Sequence, residues 1–318
     1  MTVTQTLPSA DKQSAISNAP SRKGFVTNYP PFRQWKNTDG EAEPSPLNIY
    51  VHIPFCLQRC AYCYYKTNDL KEKSAYLGRY VDALCREIEL AASRFDLQSR
   101  QIISIYFGGG TPTLLKPEQM RKVTECLREN LNIKQPEFTV EAEPVTLTPK
   151  KADLLQELGV NRISLGVQSF SDEILRICNR LDNEEKVLKA IELAQGTGAA
   201  VNIDLLSGLA GETFETWRYS VDHALATGAE SITVYKMELY ANTEYYKSLR
   251  RKEIALPDEE QELEFMRYAQ SRFKETQYLP WCFFTFTKNG QYKNIYASSM
   301  WEGTDCYAFG ASGFGSIG

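Results

Sequence analysis

From Leu47 onward the chain repeats one pattern six times: a short run of β-branched or aromatic residues, then an amphipathic helical stretch. The strand candidates are NIYVHI, IISIYF, EFTVEAE, NRISLGVQ, VNIDLLSG and SITVYKME. Between them lie YLGRYVDALCREIELAASRF, PEQMRKVTECLRENL, KKADLLQELG, EEKVLKAIELAQGTG and ETWRYSVDHALATG. Glycine closes three of these helices as a C-cap does. Strands that alternate with helices are joined by right-handed crossovers, so the pattern predicts an α/β fold with a parallel sheet, either doubly wound or a barrel, complete or partial. Periodicity leaves those alternatives open.

Residues 1 to about 25 are rich in Ser, Thr, Ala, Asn and Pro, without periodicity, and KNTDGEAEPSP at 36–46 is similarly unable to bury anything, so the N-terminal segment 1–46 is expected to be mobile. After Tyr240 the alternation gives way to a charged helix near DEEQELEFMRYAQSRFKET and a strand-like WCFFTFTK. This predicts a small α+β extension over 241–318, the start of a further domain. The glycine-rich, apolar YAFGASGFGSIG is an odd tail for a finished domain, so the natural protein is expected to continue past Gly318. A chain of 318 residues can bury a large core, as one domain or two. Its net charge of −4 offers no basic field for nucleic acid or an anionic membrane. No apolar run reaches the roughly 20 residues of a membrane span, and the N-terminus lacks the apolar centre of a secretory signal. A cytoplasmic protein is expected.

In that compartment the 8 cysteines are expected to be reduced. Five are scattered (Cys85, Cys126, Cys178, Cys282 and Cys306) and read as small buried apolar residues. The other three, Cys56, Cys60 and Cys63, form C-x3-C-x2-C on a loop directly after the first strand. Zinc sites usually draw four ligands as two pairs, and no second pair lies nearby. An iron–sulfur cube normally takes four thiolates, so three leave one iron with an open position for another ligand.

This spacing, with Tyr62 just before the third cysteine, resembles the radical S-adenosylmethionine (SAM) enzymes. The resemblance implies a [4Fe-4S] cluster whose unique iron chelates the amino and carboxylate groups of SAM, and reductive cleavage to a 5′-deoxyadenosyl radical. It also implies an electron donor such as flavodoxin or ferredoxin. NIYVHIPFC, YFGGGTPTLL, VEAEP, NRISLGVQSF, the Asn179–Arg180 pair and NIDLLSGLAGET are similar, in order, to the oxygen-independent coproporphyrinogen III oxidase family, from Leu47 to about Leu239. A weaker echo lies at YAFGASGFGS. That family implies a partial (β/α)6 barrel over 47–240, with ligands at the carboxyl ends of the strands.

Carried over residue by residue, the resemblance places Tyr50, Glu141 and the turn at Gly108, Gly109, Gly110 and Thr111 beside the first SAM, with Tyr62 against its adenine. Three successive glycines let backbone groups approach a ligand, although a tight turn also explains them. Glu141 lies between apolar neighbours and needs a cationic partner if buried. Gln168, Arg180 and Asp204 correspond to residues that hold a second SAM in the family, although an Arg180–Asp204 ion pair is the plainer reading. Glu238, Tyr240 and Phe314 read as ordinary loop residues. No proton-accepting residue is identified.

Three readings compete: decarboxylation of a coproporphyrinogen propionate, non-catalytic haem handling, and two-SAM alkylation. Coproporphyrinogen oxidases carry a further cysteine two positions past the third ligand, where this chain has Tyr65. Haem chaperones of this fold typically have a His-Asn pair before a Tyr-Trp pair, where this chain reads YKNIYASSMWEG; its 2 histidines are His52 and His223. By exclusion the expectation is a family member that uses two SAM molecules to methylate or cyclopropanate an unsaturated carbon of a small-molecule substrate. The sequence does not name that substrate or the oligomeric state.

Overall fold

The computed structural model describes residues 45–317, so all but the last two residues of the expected mobile segment 1–46 lie outside it. The first half of the chain runs β1 (Leu47–Ile53), β2 (Phe55–Cys56), β3 (Asn68–Asp69), α1 (Leu70–Arg94), β4 (Gln101–Gly109), α2 (Pro117–Asn130), β5 (Asn132–Ala142), α3 (Pro149–Glu157) and β6 (Arg162–Gln168). It continues through α4 (Asp172–Ile177), α5 (Glu184–Gly196), β7 (Ala200–Ser207), α6 (Phe214–Ala226) and β8 (Ser231–Lys236). The last part adds α7 (Glu244–Arg250), α8 (Glu259–Lys274), β9 (Tyr278–Pro280), β10 (Thr285–Lys288), α9 (Ile295–Trp301) and β11 (Asp305–Phe309).

Nine strands form one sheet in the order β11-β1-β4-β5-β6-β7-β8-β10-β9. Its centre is the six strands β1, β4, β5, β6, β7 and β8, all parallel. Each is followed by helical structure, which is the partial (β/α)6 arrangement. Residues 241–318 supply both edges of this sheet: β10 pairs antiparallel with β8, and β11 pairs parallel with β1. Gly159, Gly198 and Gly228 end α3, α5 and α6 with φ of +75°, +78° and +69°, a conformation glycine adopts without a Cβ penalty.

Alternation along the strands sorts residues between two faces. Ile49, Phe107, Val140, Ile163, Ile203 and Val234 are buried on the outer face, in one core with Val81, Leu84 and Ile88 of α1, Val123 and Leu127 of α2, and Val221 of α6. Their sequence neighbours turn inward and are mostly polar: Asn48, Tyr50 and His52; Ser104 and Tyr106; Thr139 and Glu141; Arg162 and Ser164; Asn202 and Asp204; Ser231, Thr233 and Tyr235. At the amino ends of the strands this interior is tied into a polar floor. Ser299 of α9 donates to Asn48 Oδ1 at 2.9 Å, Arg162 donates to Ser231 Oγ and the Tyr292 carbonyl, and Ser231 donates to Asn202 Oδ1. The backbone N–H groups of Ile295 and Tyr296 at the start of α9 both donate to the Glu137 carboxylate of β5. The Tyr296 ring packs against that of Tyr106 with centroids 4.9 Å apart. The floor leaves the carboxyl ends of the strands as the place for a site.

Candidate cluster and ligand site

The cysteine loop leaves β1 through β2 and returns through β3, which pair with each other, so its two ends are fixed by Phe55 and Cys56 against Asn68 and Asp69. Between them it rests on a small core of its own: Ala61 with Ile174, Cys178, Leu209, Ala210, Met237 and Tyr245. Ala61 is held on both sides, its N–H donating to the Cys178 carbonyl and its carbonyl accepting from Tyr245 N–H, each at 2.9 Å. Asn179 Nδ2 donates to the Arg59 carbonyl, and Asn242 Nδ2 to the Tyr64 carbonyl. Residues from four distant parts of the chain thus hold the loop in shape.

Cys56, Cys60 and Cys63 are free, partly exposed thiols. Burial raises the thiol pKa of each, that of Cys56 to about 12. Each also meets groups that favour the thiolate: the Thr111 hydroxyl at Cys56, Arg180 and the Tyr62 hydroxyl at Cys60, and the Tyr65 backbone and Arg59 at Cys63. Among the described residues no three His, Cys, Asp or Glu side chains gather closely enough for a single metal ion. In a cube each thiolate has its own iron, so its donors stand farther apart than ligands sharing one ion. Three soft thiolate donors on one loop therefore fit an iron–sulfur cluster better than a lone ion.

The glycine turn closes on this loop. A Cβ at Gly110 would stand 2.5 Å from the Phe55 carbonyl oxygen, and one at Gly109 would stand 2.6 Å from the His52 ring, at a φ of +111°. Gly110 N–H donates to Ile53 O and Thr111 N–H to Phe55 O, both at 2.8 Å, so the turn is bonded to the strand end that carries Cys56. Glu141 accepts from Tyr106 Oη at 2.9 Å and from Gly109 N–H at 3.0 Å, and burial raises its pKa. Tyr50 joins the same wall, its ring stacked on Tyr106 at 5.9 Å and its hydroxyl 3.2 Å from His52 Nδ1. Tyr50, Gly109, Gly110, Thr111 and Glu141 are thus brought together beside the cysteines. Tyr62 lies edge-on to Tyr245, with ring centroids 6.0 Å apart, and its hydroxyl meets Arg180.

Two strands along the sheet from Glu141, Asp204 accepts from Ser164 Oγ and Asn202 Nδ2, each at 2.8 Å, and burial raises its pKa to about 7. Gln168 ends β6 after a register shift and has a φ of +68°, uncommon for a residue with a side chain. The plainer reading of Arg180 as the partner of Asp204 gives way to a nearer acid: Nη2 and Nε meet Asp182 Oδ2 at 2.6 and 3.0 Å, and Nη2 donates to the Gly166 carbonyl at 2.7 Å. Arg180 therefore faces the cysteine loop, apart from Asp204. Tyr240 stacks on Tyr64 with centroids 4.2 Å apart, while Phe314 is exposed.

Sequence reasoning missed Glu143, whose Oε2 is 3.4 Å from Thr111 Oγ1 and whose Oε1 is 3.5 Å from Arg180. Its signal was present, because Glu143 follows Glu141 by two and so shares its face. Tyr106 carried the same signal in IISIYF. Tyr296 carried none, since it reaches the interior through a helix far along the chain.

A family model described as the radical SAM superfamily matches residues 50–224. The chain is 32% identical over 274 residues to a heme chaperone HemW of Bacillus subtilis, covering 85% of this chain and 71% of that protein. It is 31% identical over 285 residues to an anaerobilin synthase of Escherichia coli O157:H7, covering 87% and 62%. Among solved structures it superposes on the coproporphyrinogen III oxidase of Escherichia coli with a TM-score of 0.74 at 27% identity, covering 86% of this chain and 65% of that one. Among the described residues no helix is long and apolar enough to cross a membrane.

Proposed function

Because the chain belongs to the radical SAM superfamily, and within it to the coproporphyrinogen III oxidase-like family, we propose that it holds a [4Fe-4S] cluster on Cys56, Cys60 and Cys63 and takes two SAM molecules, one cleaved and one donating a carbon to an unsaturated carbon of a small substrate. When bound, the cluster and the first SAM supply a one-electron cleavage of the sulfonium that leaves a reactive primary carbon radical. The protein's own contribution is to bind, orient and exclude water.

The observation that carries this reading is the pair of inward-facing carboxyls on the two strands that flank β6. Glu141 on β5 and Asp204 on β7 each have a pKa raised by burial, and the charge of Glu141 adds to the rise at Asp204. The hydrogen bonds they accept come from a phenol, a hydroxyl, an amide and a backbone N–H, all neutral. Each carboxylate gains most from a cation placed beside it. SAM at neutral pH is such a cation, and two acidic positions suit two of them. Tyr50, Tyr106 and Tyr296 on the Glu141 side and Tyr235 on the Asp204 side line the interior around the two carboxyls, a lining that favours an apolar, unsaturated acceptor.

The test is equilibrium dialysis of labelled SAM against anaerobically reconstituted protein. Two molecules per cluster are expected, falling to one in Asp204→Asn, with S-adenosylhomocysteine or methylthioadenosine formed beside 5′-deoxyadenosine. One molecule per cluster in the wild type sinks the two-SAM reading. The names of the relatives favour a second reading, tetrapyrrole oxidation or haem handling. A haem titration followed at the Soret band separates the two: stoichiometric uptake without SAM cleavage supports haem handling.

A further inference from the structure

We propose that Arg180 tunes the reduction potential of the cluster by pointing one N–H of a fixed guanidinium at the sulfur of Cys60. The arginine is only 4% exposed and its Asp182 partner 0%. Nε and Nη2 are committed to Asp182 Oδ2 and Nη2 also to the Gly166 carbonyl, with Glu143 Oε1 a further 3.5 Å away. Asp182 is itself fixed, its Oδ1 accepting from Val145 N–H at 3.0 Å. What remains is Nη1, which lies 3.6 Å from Cys60 Sγ and 3.4 Å from Tyr62 Oη. The anchoring leaves the guanidinium no freedom to turn away, and the free nitrogen faces a cluster ligand.

The consequence follows from where charge goes on reduction. A cluster that accepts one electron becomes more negative, and its ligand sulfurs share that charge. A donor held against one sulfur therefore stabilises the reduced form more than the oxidised form and raises the potential. Burial strengthens the effect, because little water is present to screen it. Asp182 offsets the net charge of the pair from the far side of the guanidinium, but not the directed N–H. Arg180 is thus a positioning residue that acts through Cys60. This role goes beyond the two-SAM reading and is measured without SAM, so its failure is distinct from a failure of that reading.

The experiment is an EPR-monitored redox titration of reconstituted full-length protein in the absence of SAM, with titanium(III) citrate as the one-electron reductant and iron content as the check on loading. In Arg180→Met the potential is expected to fall by at least a tenfold shift in the reduction equilibrium, which is 59 mV for one electron. Arg180→Lys keeps the charge without the fork and is expected to lie between the two. A smaller or upward shift in iron-replete Arg180→Met, or an Arg180→Lys potential no nearer the wild type, overturns the proposal. Should Arg180→Met lose its iron, Asp182→Asn decides: removal of the counter-charge is expected to raise the potential, and an unchanged or lower value overturns the proposal.

Discussion

Ile49, Phe107, Val140, Ile203 and Val234 face the helices, while Tyr50, Tyr106, Glu141, Asp204 and Tyr235, their immediate neighbours in sequence, face the interior. The two sets share strands, registers and hydrogen-bond ladders, yet one is apolar and packed and the other polar and linked by side-chain hydrogen bonds. Parallel sheets covered on both faces usually carry apolar runs. Here the outer face carries the main hydrophobic core, and the inner face is free to hold charge. Stability and chemistry are thus divided by the parity of a residue's position along its strand.

The largest effect that sharpens this division is expected at the cysteine loop, which belongs to neither face and rests on its own small core. Cys60→Ala removes one of three thiolates and is expected to abolish the brown absorbance and bound iron of anaerobically reconstituted protein. Thermal unfolding of the apoprotein should change by less than about 1 kcal/mol, since Cys60 is outside the main core. Retention of a normal iron–sulfur spectrum would remove the basis of the ligand assignment. Phe107→Ala is the converse. It deletes a fully buried ring from the outer face, where Phe107 meets Phe138 edge-on at 5.2 Å, and is expected to destabilise the apoprotein by about 3–5 kcal/mol in urea unfolding. A loss below about 1 kcal/mol would mean that the outer face is not where stability resides.

Much of this was legible beforehand. The six central strands and the five expected helices lie within six residues of their expected limits, because each outer-face run is a local pattern that packing then uses; the short α4 was not expected. The cysteine motif was legible for the same reason: its spacing is short and needs no partner from elsewhere. What was hidden depends on long-range choices. Nothing near Ile295–Trp301 marks it as the floor of the interior, and nothing in DCYAF says that it pairs with β1 instead of β8. For Arg180, Asp204 alone was weighed as the partner from sequence. Asp182, two residues away on the same turn, reaches it without the loop closure that Asp204 requires. Glu143 was legible by parity and overlooked because Glu141 alone had been matched.

The inner face offers the smallest of these effects and the sharpest contrast with Phe107. Asp204 has an ordinary carboxyl pKa of 3.8 when unfolded and about 7 when folded, chiefly through burial. Below 3.8 both states hold the proton and the burial is neutral in stability. As pH rises, the unfolded chain releases its proton first while the folded chain keeps its own, so stability falls across the window from about 4 to about 7 and then levels. One proton contributes at most about 1.4 kcal/mol per pH unit to that slope. Asp204→Asn removes the ionisation while retaining a side chain that can hydrogen-bond to Ser164 and Asn202. In urea unfolding of SAM-free apoprotein, the wild type should therefore lose stability across this window more steeply than Asp204→Asn, by about 1 kcal/mol per pH unit, with the two curves parallel above it. Identical slopes would show that Asp204 is solvated and ionised in the folded chain, and would remove the second of the two buried carboxyls on which the two-cation reading of the interior rests.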